Sequence, residues 1–67
     1  MNEGRIKNFD ILKGFGFITR PKGKELFFHW TDVKSHHQGA AVLVGALVNF
    51  EISEEKPNRA KNVILVT

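Results

Sequence analysis

Phe15 and Phe17 in one short run, and Phe27 and His29 in another, are the residues of this 67-residue chain whose type and spacing point to chemistry. Extended backbone turns successive side chains to opposite faces. Each run therefore sets two flat rings side by side on one face, with Gly14, Gly16 and Ile18, or Leu26, Phe28 and Trp30, on the other. Every nucleobase has a π-face, so rings displayed on a sheet stack single-stranded nucleic acid with little regard to sequence, for about 1–3 kcal/mol per base. Lys7 and Lys13, with Arg5, Arg20, Lys56 and Arg59, supply cations to hold phosphates while the rings hold bases. Gly14 and Gly16 leave clearance for rings and a ligand to come close. The competing reading is a Phe-rich core covered on both faces. Ile6, Ile18, Leu26, Phe28, Val48, Phe50, Ile52, Val63 and Leu65 already furnish a core, which leaves the second aromatic set surplus to it.

The elements that must position these rings are strands. Apolar residues fall in short runs bounded by turn formers, and no window long enough for a helix has a 3.6-residue period. The pattern predicts strands over 5–11, 15–19, 25–30, 48–53 and 60–66. Turns fall near Leu12, Lys13 and Gly14, over Pro21-Lys22-Gly23-Lys24, and over Glu54-Glu55-Lys56-Pro57-Asn58. Between the third and fourth strands the polar stretch from Thr31 to Gly39 is a long connection, where Thr31 or Asp32 caps at most one helical turn. In the fourth strand Val48, Phe50 and Ile52 alternate with Asn49, Glu51 and Ser53, one face to the core and one to water. Three strands, a crossover and two strands suggest a five-stranded all-β barrel.

Size and composition narrow the function. The chain has room for one domain, taken as residues 1–67, with stability on the order of 3–10 kcal/mol. Its net charge of +3 and pI near 9.6 favour polyanionic partners mildly. The absence of Cys excludes disulfides, thiol nucleophiles and Cys-based zinc sites, and suits a reducing cytoplasmic setting. The N-terminus carries no apolar stretch of signal-peptide type. The apolar run from Ala40 to Val48 is far shorter than the roughly 20 residues needed to span a bilayer. No membrane contact is expected.

Lys13-Gly14-Phe15-Gly16-Phe17-Ile18 followed by Leu26-Phe27-Phe28-His29 resembles the paired RNP1 and RNP2 motifs of the cold-shock domain family. Gly4-Arg5-Ile6-Lys7 with Phe9 is similar to the family's opening strand, and Gly45, Val48, Phe50, Glu51, Ala60, Asn62 and Val63 to its closing hairpin. The resemblance implies an antiparallel OB-fold barrel that binds single-stranded RNA or DNA, as an RNA chaperone or a regulator of transcription and translation. Residue by residue, it assigns base stacking to Phe15, Phe17, Phe27 and His29, places Phe9 and Trp30 at the edge of the patch, and gives Lys7 and Lys13 contacts to backbone or bases. For Trp30 the family's pattern departs from strict alternation. Ile6 and Phe9 likewise have opposite parity, which a bulge in the first strand would reconcile.

Two positions depart from the family's pattern: Asn8 stands where a Trp is usual, and Ala40 where the long loop usually has an aromatic. Two stacking platforms are missing, which lowers the expected affinity tenfold to a hundredfold if each is worth about 1 kcal/mol or more. The RNA recognition motif carries a similar Lys-Gly-Phe-Gly-Phe run, but with its two aromatic strands in the opposite order and with two helices for which this chain has no room. Gly14-Phe15-Gly16 is not a dinucleotide loop, because Thr19 stands in place of the third glycine. His36 and His37 are adjacent and point apart in extended backbone, a poor metal pair. No catalytic residue, metal or cofactor is expected. The run through Val42, Leu43 and Val44 offers a place for a dimer or protein contact. The alternative is that Leu43, Leu47 and Val48 fill the barrel's end, and a monomer is expected over a dimer. A diverged protein-interaction barrel is the competing function.

Overall fold

Gly4 and Ile6 are buried between exposed Glu3, Arg5 and Lys7, the two-residue period of a strand with one wet face. In the computed structural model, which describes residues 2–34 and 44–66, that strand is β1 (Asn2–Asp10). It is followed by β2 (Phe15–Thr19), β3 (Leu26–His29), a single 3-10 turn over Trp30–Asp32, β4 (Leu47–Ile52) and β5 (Ala60–Leu65). The expectations for His36, His37, Ala40, Val42 and Leu43 lie outside the described residues.

All five strands join one antiparallel sheet in the order β3-β2-β1-β4-β5. β1 is the hinge of this order. Its first half pairs with β4, from Asn2 opposite Phe50 to Arg5 opposite Leu47, and its second half pairs with β2, from Arg5 opposite Thr19 to Asp10 opposite Phe15. The sheet curls so that its two edges meet through isolated parallel bridges, Phe27 of β3 with Arg59 just before β5 and Val33 just after the 3-10 turn with Val63 of β5. Hydrogen bonds from Phe27 N to Asn58 O (2.8 Å) and from Lys34 N to Val63 O (2.7 Å) seal the seam. The architecture is the expected all-β, five-stranded OB-fold barrel.

Inside lie Ile6, Ile18, Leu26, Phe28, Val48, Phe50, Ala60 and Val63, each at most 1 % exposed. Ile52 and Leu65, expected in the core, are half-buried at its rim, and Ala60 takes a central place that its small side chain did not advertise. Phe15, Phe17 and Phe27 lie outside this core, half-buried on the sheet's outer face.

Two irregularities keep alternation and burial consistent. In β1 the register shifts between Ile6 and Asn8, so Ile6 faces Ile18, Asn8 faces Phe17 and Phe9 faces Gly16. One extra residue, Lys7, lets Ile6 and Phe9 point inward despite their opposite parity, as a bulge must. In β5 the shift falls opposite Asn49 and Glu51, where Asn62 adopts a left-handed φ of 50° and donates from Nδ2 to Glu51 Oε1 at 2.9 Å. Asparagine tolerates that conformation better than most residues. Ala60 and Val63 both reach the core as a result.

Gly16 faces β1 with no room for a side chain: a Cβ there would lie 2.2 Å from the Asn8 carbonyl oxygen and 3.0 Å from Phe9 Cα. Its clearance thus serves the neighbouring strand and the Phe28 ring, on the face opposite the outer rings. Gly16→Ala is expected to lower stability by about 1–3 kcal/mol, read as a shifted midpoint in urea unfolding. A wild-type midpoint would show that the two strands separate at little cost.

Candidate nucleic-acid interface

The outer face is built by register. Phe15 lies opposite His29 and Phe17 opposite Phe27 across β2 and β3, while Asp10 lies opposite Phe15 and Asn8 opposite Phe17 across β1 and β2. Directly opposed residues share a face, so two rows of three cross the sheet: His29, Phe15, Asp10 and Phe27, Phe17, Asn8. The rings touch one another. Phe15 and Phe27 are 5.5 Å apart between centroids and tilted, and Phe17 meets Phe27 edge-on at 6.0 Å. Such pairs hold the rings in place without burying them.

β3 ends at His29, and its ending aims Trp30. His29 caps the 3-10 turn: its Nδ1 accepts from Thr31 N at 3.3 Å, while Asp32 Oδ2 accepts from His29 N at 2.9 Å. Backbone that leaves extended conformation no longer alternates, so Trp30 swings out of the core side predicted by parity and is 58 % exposed. Its ring lies 6.0 Å from that of His29. The backbone N–H of Trp30 donates to Gly14 O at 2.8 Å, and at Gly14 (φ 78°) a Cβ would come within 2.6 Å of the indole. The turn after β1 and the end of β3 are therefore locked together, with Asp10 Oδ1 accepting from Leu12 N and Lys13 N at 3.0 Å each.

Phe9 stands on the other face. It is half-buried against the core, stacked on Phe28 at 5.8 Å and 20° between planes. The bulge that satisfies Ile6 also turns Phe9 inward. It still lines a groove of about 530 Å³ with Asn8, Phe15, Phe17 and the exposed turn residues Ile11 and Leu12.

The cations divide into engaged and free. Lys7 Nζ pairs with Glu25 Oε2 at 2.5 Å, both side chains about half exposed, an arrangement worth little and readily exchanged. Lys13 is exposed on the turn before β2. Arg59 was legible only as one cation among several. Its guanidinium lies 5.7 Å from the centre of the Phe27 ring while Nε and Nη2 donate to Asp32 Oδ2 at 3.2 and 3.1 Å. Asp32 thus serves His29, Arg59 and the turn between them. The sequence marks Asp32 as a candidate cap, but its role at N3 of a turn capped by His29 follows only from its place three residues after that histidine. No cluster of three metal-ligating side chains occurs among the described residues.

Comparison with known proteins matches the profile of the "'Cold-shock' DNA-binding domain" to residues 2–66. The chain is 43 % identical over 54 residues to a cold shock-like protein of Thermotoga maritima, covering 79 % of each chain. To the cold shock-like protein CspE of Buchnera aphidicola it is 43 % identical over 65 residues, covering 92 % of this chain and 91 % of that one. A solved structure of drosophila Unr CSD456 superposes with a TM-score of 0.78 at 25 % identity, over 98 % of this chain and 26 % of that longer one.

Because one carboxylate oxygen holds both the end of β3 and Arg59, Asp32→Ala is expected to cost about 1–3 kcal/mol of stability, measured by thermal unfolding. The change should also free the Trp30 indole, seen as a shift in its emission. An unchanged melting temperature would mean that the turn stands without its carboxylate.

Proposed function

The chain belongs to the cold-shock domain family, and from that premise we propose that it binds unpaired stretches of RNA or DNA on Phe15, Phe17, Phe27 and His29 and keeps the strand from folding on itself, as an RNA chaperone or a regulator of transcription and translation. The observation that carries this reading is the ring array: three phenyl groups in contact through Phe27, with an imidazole opposite Phe15, on one outer face and outside a core that is complete without them. A protein that needed these rings only for stability would have turned them inward. Trp30 extends the platform at the strand end. Lys7, Lys13 and Arg59 border it with positive charge: Lys13 is exposed, Lys7 can exchange its half-exposed pairing with Glu25 for a phosphate, and Arg59 stays anchored on Asp32 beside the Phe27 ring. Phe9 contributes from the groove edge, backing the platform through Phe28. The molecule is a binding module and not an enzyme.

The same reading has the protein acting in the cytoplasm as a monomer, with single-stranded nucleic acid as its partner. No described helix is long and apolar enough to cross a membrane. Val44 is 68 % exposed at the start of the turn before β4. Light scattering across a range of concentrations is expected to return the monomer mass throughout. A mass that doubles would assign the Val44 surface to self-association instead.

Trp30, the one Trp in a chain without Tyr, is the natural reporter. Titration with hepta-dT is expected to quench its emission to saturation, with log affinity falling against log salt by about 0.7 per phosphate contacted. Phe15→Ala and Phe27→Ala should each weaken binding by about 1–3 kcal/mol. Wild-type affinity in both variants, or no binding by Trp30 emission and by a labelled oligonucleotide alike, would favour the protein-interaction reading.

A further inference from the structure

We propose that Asn8 and Asp10 read the edge of a base stacked on the adjoining ring, and that they select a base carrying an exocyclic amino group over thymine or uracil. The inference rests on the single-strand reading above and goes beyond it, since stacking alone is indifferent to base identity.

The geometry is that of the two rows. Asn8 lies opposite Phe17 and Asp10 opposite Phe15, on the ring face of the sheet, at the end of each row. Opposed side chains on neighbouring strands begin about 5 Å apart. A base lying over either phenyl ring therefore brings one edge within hydrogen-bonding reach of β1. The ring pattern ends at β1 because both positions carry short polar groups, and both are exposed. Among the described residues the Asn8 carboxamide has no hydrogen-bond partner, and Asp10 uses only Oδ1, for Leu12 N and Lys13 N. Asp10 Oδ2 and Asn8 Oδ1 are thus unengaged acceptors beside the platform.

The chemistry of this column is acceptor-rich. A carboxylate only accepts, and a carboxamide accepts at one atom and donates at the other. Adenine, cytosine and guanine present an amino group that donates to such acceptors. Thymine and uracil present two carbonyl oxygens around a single N–H, so a carbonyl falls against the carboxylate. The Asp10 charge also repels phosphate, so the strand's backbone runs elsewhere and β1 meets base edges. Ile11 and Leu12, 84 % and 94 % exposed beside the same groove, wall it with apolar groups that shield these hydrogen bonds from water.

The test compares hepta-dT with the same oligomer carrying one dA or dC at each position in turn, followed by Trp30 emission and by an end label. The wild-type protein is expected to favour the best-placed substitution by about tenfold. That preference should collapse to within about twofold in Asn8→Ala or in Asp10→Ser, where the Ser hydroxyl still accepts from the turn. If hepta-dT binds but no substituted oligomer binds better, or if the preference persists in both variants, the edge-reading inference is overturned while the stacking reading stands. If no oligomer binds at all, the stacking reading fails first and takes this one with it.

Discussion

The extra residue in β1 is the constraint on which the rest of the molecule depends. A strand has one register that buries its apolar set, and a slip of one residue turns every side chain to the wrong face. β1 must satisfy β4 with one half and β2 with the other, while sending Gly4, Ile6 and Phe9 inward. Lys7 makes this consistent. Were the same residues paired in regular alternation, with no bulge at Lys7, Phe9 would leave the ring of Phe28 for solvent, and Asn8 and Asp10 would enter a core whose described buried residues are all apolar. The same residue delivers a cation to the outer surface, where it pairs with Glu25 at the edge of β3.

The outer rings gain from being half-buried. A fully exposed phenyl group samples several rotamers, and a ligand must then bear the entropy of fixing it. Phe27 is flanked by Phe15, by Phe17 and by the Arg59 guanidinium, so its plane is set in advance. Arg59 is itself set by Asp32, which takes its orientation from the 3-10 turn. A chain of contacts thus runs from the cap of one short turn to the centre of the platform.

Much of this was legible in the sequence, for definable reasons. β2 and β3 alternate cleanly, so their faces and their rings follow from period alone, and β2 has the expected bounds. The bulge in β1 was legible because Ile6 and Phe9 conflict under strict alternation. Its consequence was not, since parity cannot say which of the two turns, and Phe9 went to the core. β1 begins three residues earlier than the apolar pattern suggests, because Asn2 and Glu3 are polar residues held by pairing to β4. The bulge at Asn62 left no trace, for an Asn among apolar residues reads as an ordinary wet-face position. Thr31 or Asp32 was the expected cap, yet His29 fills that role, since imidazole is not among the usual capping side chains. Asp32 and Arg59 are 27 residues apart, a tertiary contact that no local pattern encodes.

The seam between β3 and β5 carries a further consequence. Phe27 belongs to the platform by its side chain and to the seam by its backbone, through the hydrogen bond to Asn58 and the bridge to Arg59. Closing the barrel and assembling the platform are therefore one event. On the proposed function, a strand lying across these rings would act as a clasp on the closed form and add its own binding free energy to folding, by mass action. On that same function, the lifetime of such a small protein would be set in part by its cargo: abundant unpaired strands would preserve it, and their depletion would leave the barrel to open at the joint where it was fastened.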